Sequence, residues 1–428
     1  MNIVTLHSST RFILVLACVA AALGADGAWR PFSADSPWNQ RIAPDAASDP
    51  ASAALIADFA SRGPLHINIK DWSIAVYFVD ADHTPRHDVT DSRPGVYGKG
   101  FEFPRRIPIP DGAVASPPVD GDNHLCIVDR ARHLEWGMWW ARQDAAGKWS
   151  TGLGAVTDLA GTGVSPPWFA VGRELDAARA RASGFPLIAG LILVDEVKAG
   201  RIDHALVFAY DHCRTGFFLP PASTAQVTVP KTKNSFGIPM GGRIQLDPHW
   251  DVKHSELSAG GKIIARALQE YGAYCGDYAD GNVLFAENSP AALQAWQGLL
   301  RPDELEAIFT PAMIREHFRV LEMGNVLPGQ NCEIRPPYVM SFQFADPAAT
   351  ARIDYFTRTV SVAVPRGSDP RRLVPRFTVF RPGTSVLVNG AGQVSGHTIQ
   401  DFSSPVTYRL VAPDGTANTW TVVVRSAK

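Results

Sequence analysis

The chain has almost no net charge and no basic run, which excludes the charge pattern of nucleic-acid-binding proteins. Its 40 Lys and Arg residues are balanced by 42 Asp and Glu residues, for a formal net charge of -2. Proteins that bind phosphate backbones or anionic lipid surfaces carry clustered positive charge. We therefore expect neither nucleic acid nor an anionic membrane surface as a partner, and no obligate protein partner is evident.

The sequence also lacks the short motifs of several large enzyme classes. It contains no GxSxG elbow, no HExxH pair, no GxxxxGK[ST] loop and no GxGxxG opening a helix. These motifs supply a nucleophile, zinc ligands or phosphate contacts. Their absence removes the commonest esterase, metalloprotease and nucleotide-dependent interpretations.

Long hydrophobic runs are absent after the first thirty residues. One apolar run, Phe12 to Leu23, follows Arg11 and is succeeded by small residues as far as Ala28. This pattern is typical of a signal peptide, whereas a membrane-spanning helix needs about 20 apolar residues. We predict that residues 1–28 are a signal peptide and that the mature protein is secreted or periplasmic, without a membrane span. Lipidation at Cys18 is the alternative.

Cysteine is scarce, and removal of the signal peptide leaves Cys126, Cys213, Cys275 and Cys332. No two of them have the CxxC spacing of zinc ribbons or thiol redox enzymes, and an exported protein lies in a compartment that permits disulfides. We expect structural disulfides and leave the three pairings open. A lone nucleophilic cysteine is the alternative.

What the chain does contain is a series of short alternating strands broken by Pro and Gly. This pattern predicts a mainly β fold, with a jelly-roll-like β-sandwich and a few short helices over residues 29–337. We expect this part to be the catalytic domain. The clearest helix has Ser258 as its N-cap, carries apolar residues at helical spacing and ends at Gly272.

The last part of the chain, residues 338–428, has the length and the strand pattern of an immunoglobulin-like β-sandwich. Four of its segments resemble the Ig-like modules appended to many secreted bacterial proteins: Val364–Asp369, Gly383–Val386, Asp401–Tyr408 and Trp420–Val424. The resemblance implies an accessory domain used for spacing or attachment, without an active site.

Several polar residues stand in otherwise apolar strands of the first domain. Asp122 and His124 lie two positions apart, so they share a strand face. Glu135 follows Leu134 in a strand of large apolar residues, where a carboxylate is costly unless it is paired or functional. His204 opens a further apolar strand. We identify Asp122, His124, Glu135 and His204 as candidate catalytic residues. Half-buried structural histidines and a solvent-facing Glu135 are the alternatives.

A polar turn follows the main helix and adds three candidates. Asp280 joins the catalytic candidates, while Asp277 and Tyr278 are candidate substrate-binding residues; turn formation is the alternative. Strict alternation places Trp139 and Trp140 on opposite faces of a strand, so only one of them is expected to be a sugar platform, and we choose Trp140.

Segments between residues 120 and 290 resemble a recurring signature of secreted proteins from soil bacteria. They are Ser183–Leu191, Asp195–Val197, Gly200–Leu206, Pro239–Arg243, Ala267–Gly272 and Asp277–Asn282. This uncharacterised family often carries accessory carbohydrate-type or Ig-like modules. The resemblance implies export and a modular architecture. It implies no reaction and no catalytic residue, and the Asp195-Glu196 pair within it is expected in a solvated loop.

Together these features predict a secreted carbohydrate-active enzyme that cleaves an extracellular polysaccharide. We favour a glycoside hydrolase, which needs two carboxyl groups with distinct roles. Glu135 with Asp122 or Asp280 is the expected pair.

Three alternatives stay open. A polysaccharide lyase would use His124, His204 and Tyr278 with a nearby arginine that neutralises a uronate carboxylate. A non-catalytic glycan-binding or surface protein would use the same aromatic residues without an activated acid. A divalent metal held by Asp122, His124 and His204 is the third alternative; otherwise no cofactor and no metal site are expected.

Overall fold

The computed structural model describes most of the chain beyond residue 28. The described residues are 29–93, 105–171, 179–225, 234, 236–324, 326–329, 337–354, 357–381 and 383–427. The predicted signal peptide and Cys332 lie outside these ranges, so what was predicted for them stays a prediction.

Short helices connect the strands. They are α1 (Ser52–Ser61), α2 (Trp168–Val171), α3 (Val194–Ala199), α4 (Ala259–Glu270), α5 (Pro290–Ala295), α6 (Pro302–Ala307) and α7 (Pro311–His317), with 3-10 turns at Pro37–Asn39 and Pro370–Arg372. Helix α4 begins and ends where the sequence predicts. The Ser258 side chain accepts a hydrogen bond from the Gly261 N–H, and Gly272 follows the helix with a φ of 64°.

Strands dominate the described residues, and the predicted mainly β class is confirmed. Those before residue 160 are β1 (Leu65–Asn68), β2 (Ala75–Phe78), β3 (Arg86–Asp91), β4 (Arg105–Pro108), β5 (Leu125–Asp129), β6 (Leu134–Trp139), β7 (Arg142–Gln143), β8 (Trp149–Thr151) and β9 (Leu153–Asp158). The middle of the chain holds β10 (Leu206–Ala209), β11 (Phe217–Phe218), β12 (Arg243–Leu246), β13 (Ala273–Asp277), β14 (Asn282–Phe285), β15 (Phe318–Val320) and β16 (Leu327–Pro328). The last strands are β17 (Val339–Ala345), β18 (Ala348–Asp354), β19 (Thr359–Val364), β20 (Pro375–Val379), β21 (Ser385–Val388), β22 (Ala391–Gly392), β23 (Val406–Val411) and β24 (Ala417–Ser426).

Two four-stranded sheets, ordered β2-β5-β6-β9 and β4-β3-β8-β7, share a small apolar core. Alternation along β5 and β6 assigns each side chain to one face of the first sheet. On β5, Ile127 enters the small core, whereas Cys126 joins the main core on the opposite face. On β6, Trp136 enters the small core, so the neighbouring Glu135 faces the main core.

The main core surrounds a six-stranded mixed sheet, ordered β1-β14-β10-β13-β12-β15. Strand β10 pairs in parallel with β13, in a register that sets Phe208 opposite Cys275. Every residue of β10 is buried, and so is β13 as far as Gly276. Strands covered on both faces read as continuous apolar runs. Asp277 lies at the carboxyl end of β13 in this sheet. That end of the strand is close to Glu135 of the first four-stranded sheet, since Arg181 is near both carboxyl groups.

Strands β17 to β24 form a sheet of their own, ordered β20-β17-β18-β19-β24-β23-β21-β22, in which only β19 and β24 run parallel. Buried and exposed positions alternate along β19 and β23, and the buried side chains meet around Trp420 and Tyr408. The Trp168 and Phe380 rings lie 5.3 Å apart and join this sheet to the preceding part. The immunoglobulin-like character of residues 338–428 and the boundary at 337 stay predictions.

Within the ranges described above, no helix is both long enough and apolar enough to cross a membrane.

Two glycines with the same backbone angle separate steric crowding from backbone strain. Gly200 and Gly241 both have a φ of 84°. A Cβ on Gly241 would lie 1.8 Å from the carbonyl oxygen of Leu219, whereas a Cβ on Gly200 would meet nothing within 4 Å. We expect Gly200→Ala to lower the free energy of unfolding by about 1–2 kcal/mol, the cost of a left-handed alanine. Gly241→Ala should cost at least about 2 kcal/mol more, because backbone must move. Urea unfolding measures both, and equal losses would contradict the predicted clash.

Candidate functional site

Glu135 lies at the inner face of β6 and is only 1% exposed. Its Oε1 accepts a hydrogen bond from the Leu187 N–H at 2.9 Å, and its Oε2 accepts one from the Ile188 N–H at 3.2 Å. Gly137 leaves room for this carboxyl group, since a Cβ there would lie 2.7 Å from Oε1. Burial raises the pKa of Glu135, and the two N–H donors oppose that rise. The carboxyl group therefore holds the backbone of the 187–188 segment and does not face solvent.

Arg181 is the central charge of the site. The residue is 1% exposed, and its three guanidinium nitrogens have no hydrogen-bond partner among the residues that the structure describes. The guanidinium lies 4.5 Å from the centre of the Phe285 ring, a cation–π distance. Burial lowers its pKa to about 10, while the nearby carboxyl groups of Asp277, Glu135 and Asp122 favour the charged form.

Asp122 and His124 enter the site from the segment before β5. The Asp122 Oδ1 accepts a hydrogen bond from the Trp139 Nε1–H at 2.8 Å. The His124 Nε2 lies 3.0 Å from the carbonyl oxygen of Ala180, next to Arg181. Burial lowers the pKa of His124, Arg181 lowers it further, and Asp122 opposes both. The two residues lie in one region, but not through the predicted strand alternation, because β5 begins only at Leu125 and Asn123 between them has a φ of 45°. The lowered pKa leaves His124 uncharged at neutral pH.

Asp277 closes the site from the carboxyl end of β13. Its Oδ1 accepts a hydrogen bond from the Tyr278 N–H at 3.0 Å. Burial raises the pKa of Asp277 to about 7; Arg181 opposes the rise and Asp122 adds to it. We call Asp122, His124, Glu135, Arg181 and Asp277 the Arg181 cluster. Asp122 and Asp277 are its partly exposed members, so they are the two that a ligand could reach.

Tyr278 borders the cluster. Its hydroxyl group lies 3.5 Å from the carbonyl oxygen of Cys213, and burial raises its pKa. The side chain is therefore a neutral hydrogen-bonding group at physiological pH. Asp280, further along the same turn, is exposed.

The expectation that Trp139 and Trp140 point to opposite faces is wrong. Strand β6 ends at Trp139, and Trp140 has a φ of 57°, so alternation stops between them. Their rings stack with centroids 5.0 Å apart and an angle of 2° between planes. The Arg93 guanidinium lies 3.4 Å from the centre of the Trp140 ring, and Arg142 lies 5.0 Å from it. Through the Trp139 bond to Asp122, this cationic and aromatic rim adjoins the Arg181 cluster.

His204 lies elsewhere. Its Nε2 is 3.1 Å from a Glu196 carboxyl oxygen and its Nδ1 is 3.0 Å from the carbonyl oxygen of Ala205. Burial lowers the pKa of His204, but the charge and hydrogen bond of Glu196 outweigh it, and the net shift is upward. The expected solvated loop at Asp195-Glu196 is instead the first turn of α3, where Glu196 also accepts the Leu193 N–H.

The His204–Glu196 pair borders a cleft of about 210 Å³ that sequence reasoning did not identify. The cleft is lined by Trp29, Arg30, Arg130, Leu193, Asp195, Glu196, Ala199, Arg201 and Asp203. Nearby, burial raises the pKa of Glu287 to about 7. A second cleft, of about 360 Å³, includes Gly241 and Arg243 of the Pro239–Arg243 segment.

The metal alternative is not assembled in the part of the chain that the structure describes. Asp122 and His124 lie together, but His204 is bonded to Glu196. Among the described residues, no three His, Cys, Asp or Glu side chains are grouped so that they could hold a metal ion.

Sequence reasoning missed Arg181, the residue around which the candidates gather. A signal was present, because Arg179 and Arg181 directly precede the predicted Ser183–Leu191 signature and lie two positions apart. The lyase alternative required an arginine, but no local pattern distinguished these two from other arginines.

A family model matches the C-terminal part of the chain. The family described as SGBP, N-terminal, which belongs to surface glycan-binding proteins of Bacteroidetes, matches residues 339–424. No curated protein matches the chain. The family match lies inside the predicted accessory domain, and it leaves the signature of the preceding part a prediction.

Solved structures that match include two described as putative. One is described as a putative glycoside hydrolase from Bacteroides thetaiotaomicron. It has 24% identity and a TM-score of 0.20, and the match covers 23% of this chain and 27% of that one. The other is a secreted protein from Bacteroides fragilis, with 16% identity, a TM-score of 0.17, and coverage of 22% and 97%. The chain thus spans about a quarter of the first protein's length, and at these TM-scores neither likeness bears on the fold.

Glu135→Gln tests the structural role of Glu135. One of the two backbone N–H groups would then face an amide NH₂ group instead of an acceptor oxygen, so we expect a loss of about 1–3 kcal/mol in the free energy of unfolding. The matched control is Glu316→Gln, whose carboxyl group is 74% exposed, with an expected change below about 0.5 kcal/mol. Urea unfolding at pH 7 compares the two. Equal stability of both variants would show that the buried contacts contribute little.

Proposed function

We propose that this chain acts on an extracellular polysaccharide as a glycoside hydrolase, with Asp277 as the general acid and Asp122 as the second carboxylate. The observation that carries the proposal is the position of Asp277, which is partly exposed at the end of β13 beside Asp122 and Arg181, where burial raises its pKa to about 7. Glycoside hydrolysis requires one carboxyl group that keeps its proton at the working pH and another that is ionised. The buried Arg181 guanidinium lies near both carboxyl groups, and it opposes the rise in the pKa of Asp277 without cancelling it.

The match to the SGBP family supports a carbohydrate-related role and an extracellular or surface location. Export with a signal peptide over residues 1–28 is part of the proposal. Residues 338–428 would then be an accessory domain that holds the catalytic part on its substrate.

The proposed carboxyl pair differs from the pair expected from the sequence. Glu135 has both oxygens bonded to backbone N–H groups and lacks access to solvent, so it supports the site without touching substrate. Asp280 is exposed and is not among the groups that shift the pKa of Asp277. Asp277 therefore takes the acid role, with Tyr278 beside it as a neutral hydrogen-bonding group.

The rim of the site favours an anionic glycan. Arg93 and Arg142 lie against Trp140, which is half-buried and adjoins Asp122 through Trp139. Aromatic side chains bind the apolar faces of sugar rings, and an exposed guanidinium group, such as that of Arg142, binds carboxylates or sulfates in two-point contacts. We propose a uronic-acid-containing or sulfated polysaccharide as the substrate class.

Asp277→Asn tests the proposed chemistry. The protein should release new reducing ends from an acidic polysaccharide, and kcat should fall by about 10²–10⁴-fold in the variant, because an amide donates no proton to the leaving group. A general acid must be protonated, so the activity of the unmodified protein should decrease as the pH rises through about 7, the pKa of Asp277. Reducing-end release from a panel of glycans, followed between pH 4 and pH 9 (roughly the working range of such enzymes), measures both effects.

The control is Asp45→Asn, which removes an exposed carboxyl group outside the Arg181 cluster and should leave kcat unchanged. Ultraviolet absorbance of an unsaturated product would instead establish the lyase alternative. Full activity of Asp277→Asn would reject Asp277 as the acid.

A non-catalytic glycan-binding protein is the second candidate, and the match of residues 339–424 to a glycan-binding family favours it specifically. In that case the aromatic rim would retain glycan while the carboxyl pair makes only hydrogen bonds. Tight retention on one polysaccharide without any product would favour this candidate.

Trp140→Ala tests the rim under either candidate. Loss of one sugar-stacking ring should weaken glycan binding by about 5–30-fold, which corresponds to about 1–2 kcal/mol. The control is Trp72→Ala, since Trp72 is 50% exposed and lies outside the rim. Affinity electrophoresis with an acidic and a neutral polysaccharide compares the two variants. If Trp72→Ala weakens binding as much as Trp140→Ala does, the glycan binds elsewhere.

A further inference from the structure

Two cysteine thiols are in contact directly beneath the turn that carries Asp277. The Sγ atoms of Cys213 and Cys275 lie 3.3 Å apart, and the two residues are 1% and 0% exposed. They are 62 positions apart in the sequence. Cys126, the remaining cysteine in the described ranges, is buried on β5 and forms no disulfide with another described cysteine.

The backbone around the two cysteines fixes their positions. Cys275 lies on β13, next to β10 in parallel register, and Cys213 follows the end of β10. Just before Cys213, the His212 Nδ1 lies 2.8 Å from an Asp58 carboxyl oxygen, which holds the segment against α1. The contact between the two sulfurs therefore follows from strand pairing and not from a chance orientation of flexible side chains.

The remaining distance is small enough for bond formation. A disulfide has an S–S length of about 2.05 Å, so the sulfurs must approach by about 1.3 Å. Small changes in the side-chain torsions supply a movement of that size without moving the strands.

We infer that Cys213 and Cys275 form a disulfide in the exported protein and that this bond fixes the turn of Asp277 and Tyr278. In the reaction, one thiolate attacks a low-molecular-weight disulfide such as oxidised glutathione, forming a mixed disulfide and releasing one thiol. The second thiolate then attacks the protein sulfur of the mixed disulfide and expels the second thiol. Two protons and two electrons leave the cysteine pair, and the oxidant is reduced to two thiols.

The oxidation takes place before the core closes. Burial raises the pKa of the Cys213 thiol, and the contact with Cys275 raises it further. The thiolate, which is the attacking species, is therefore rare in the folded protein. A chain that folds in an oxidising compartment forms the bond while Cys213 is still accessible.

The bond bears on the site through two short contacts. The carbonyl oxygen of Cys213 lies 3.5 Å from the Tyr278 hydroxyl oxygen, and its Sγ lies 3.6 Å from the carbonyl oxygen of Asp277. A covalent link from Cys213 to Cys275 fixes the Cys213 segment to β13. That segment contacts both Asp277 and Tyr278, so the link also restricts the movement of this turn. This consequence for the turn rests on the proposed function, whereas the bond itself rests on the contact between the two sulfurs and on the proposed export.

The experiment refolds the reduced full-length mature chain with a mixture of oxidised and reduced glutathione, blocks remaining thiols with iodoacetamide, and maps peptides by mass spectrometry. We expect one linked peptide pair containing Cys213 and Cys275, with Cys126 alkylated. Cys126→Ala should keep the link, whereas Cys213→Ala and Cys275→Ala should each lose it. Alkylation of both cysteines, or a link from either of them to Cys126 or Cys332, would overturn the inference.

A second measurement separates the bond from the proposed function. The bond closes a long loop and should therefore stabilise the folded protein. We expect the oxidised Cys126→Ala protein to melt about 5–15 °C higher than the Cys126→Ala/Cys213→Ala/Cys275→Ala protein. An unchanged melting temperature would contradict a stabilising bond. If the linked peptides are found but no glycan is cleaved or bound, the disulfide stands and the proposed function fails.

Discussion

The buried guanidinium of Arg181 is the charge on which the candidate site depends. Three carboxyl groups lie near it, those of Asp122, Glu135 and Asp277, and each of them favours the charged form of Arg181. Carboxyl groups are tolerated in a protein interior only when they are paired or hydrogen-bonded. Without Arg181, the three acidic groups and the neutral His124 would lose the positive charge that is near all three carboxyl groups. Arg181 is near all three carboxyl groups, and Arg179 adds a second positive charge near Glu135.

Position relative to solvent gives the acidic groups different roles. Glu135 is enclosed and has both oxygens committed to backbone N–H groups, so it anchors the segment that follows Arg181. Asp277 stands at a strand end, where burial is strong enough to raise its pKa to about 7 but access remains. The proposed acid–base chemistry requires a titratable carboxyl group, here Asp277, next to backbone that is held in place, here by Glu135.

Reasoning about polar residues near apolar segments identified Asp122, His124, Glu135 and Asp277 as candidates, and the structure places all four near Arg181. Such residues stand out because a buried polar group is costly unless it is paired or hydrogen-bonded, while the roles predicted for them stay predictions. Sequence reasoning failed for Trp140 because strict alternation ends with β6, one residue earlier. His204 lies apart from this region and its predicted role stays a prediction, since a histidine just before an apolar strand looks the same in sequence whether its partner is Glu196 or a substrate.

The amino-acid sequence by itself determined the mainly β class and the ends of helix α4. These properties depend on residues at most a few positions apart, so local periodicity and capping chemistry are sufficient to predict them. Only the tertiary structure decided which carboxyl groups share Arg181 and which cysteines touch. Those contacts join residues separated by tens of positions, and they follow from the order in which strands pair in the mixed sheet, which local pattern does not specify.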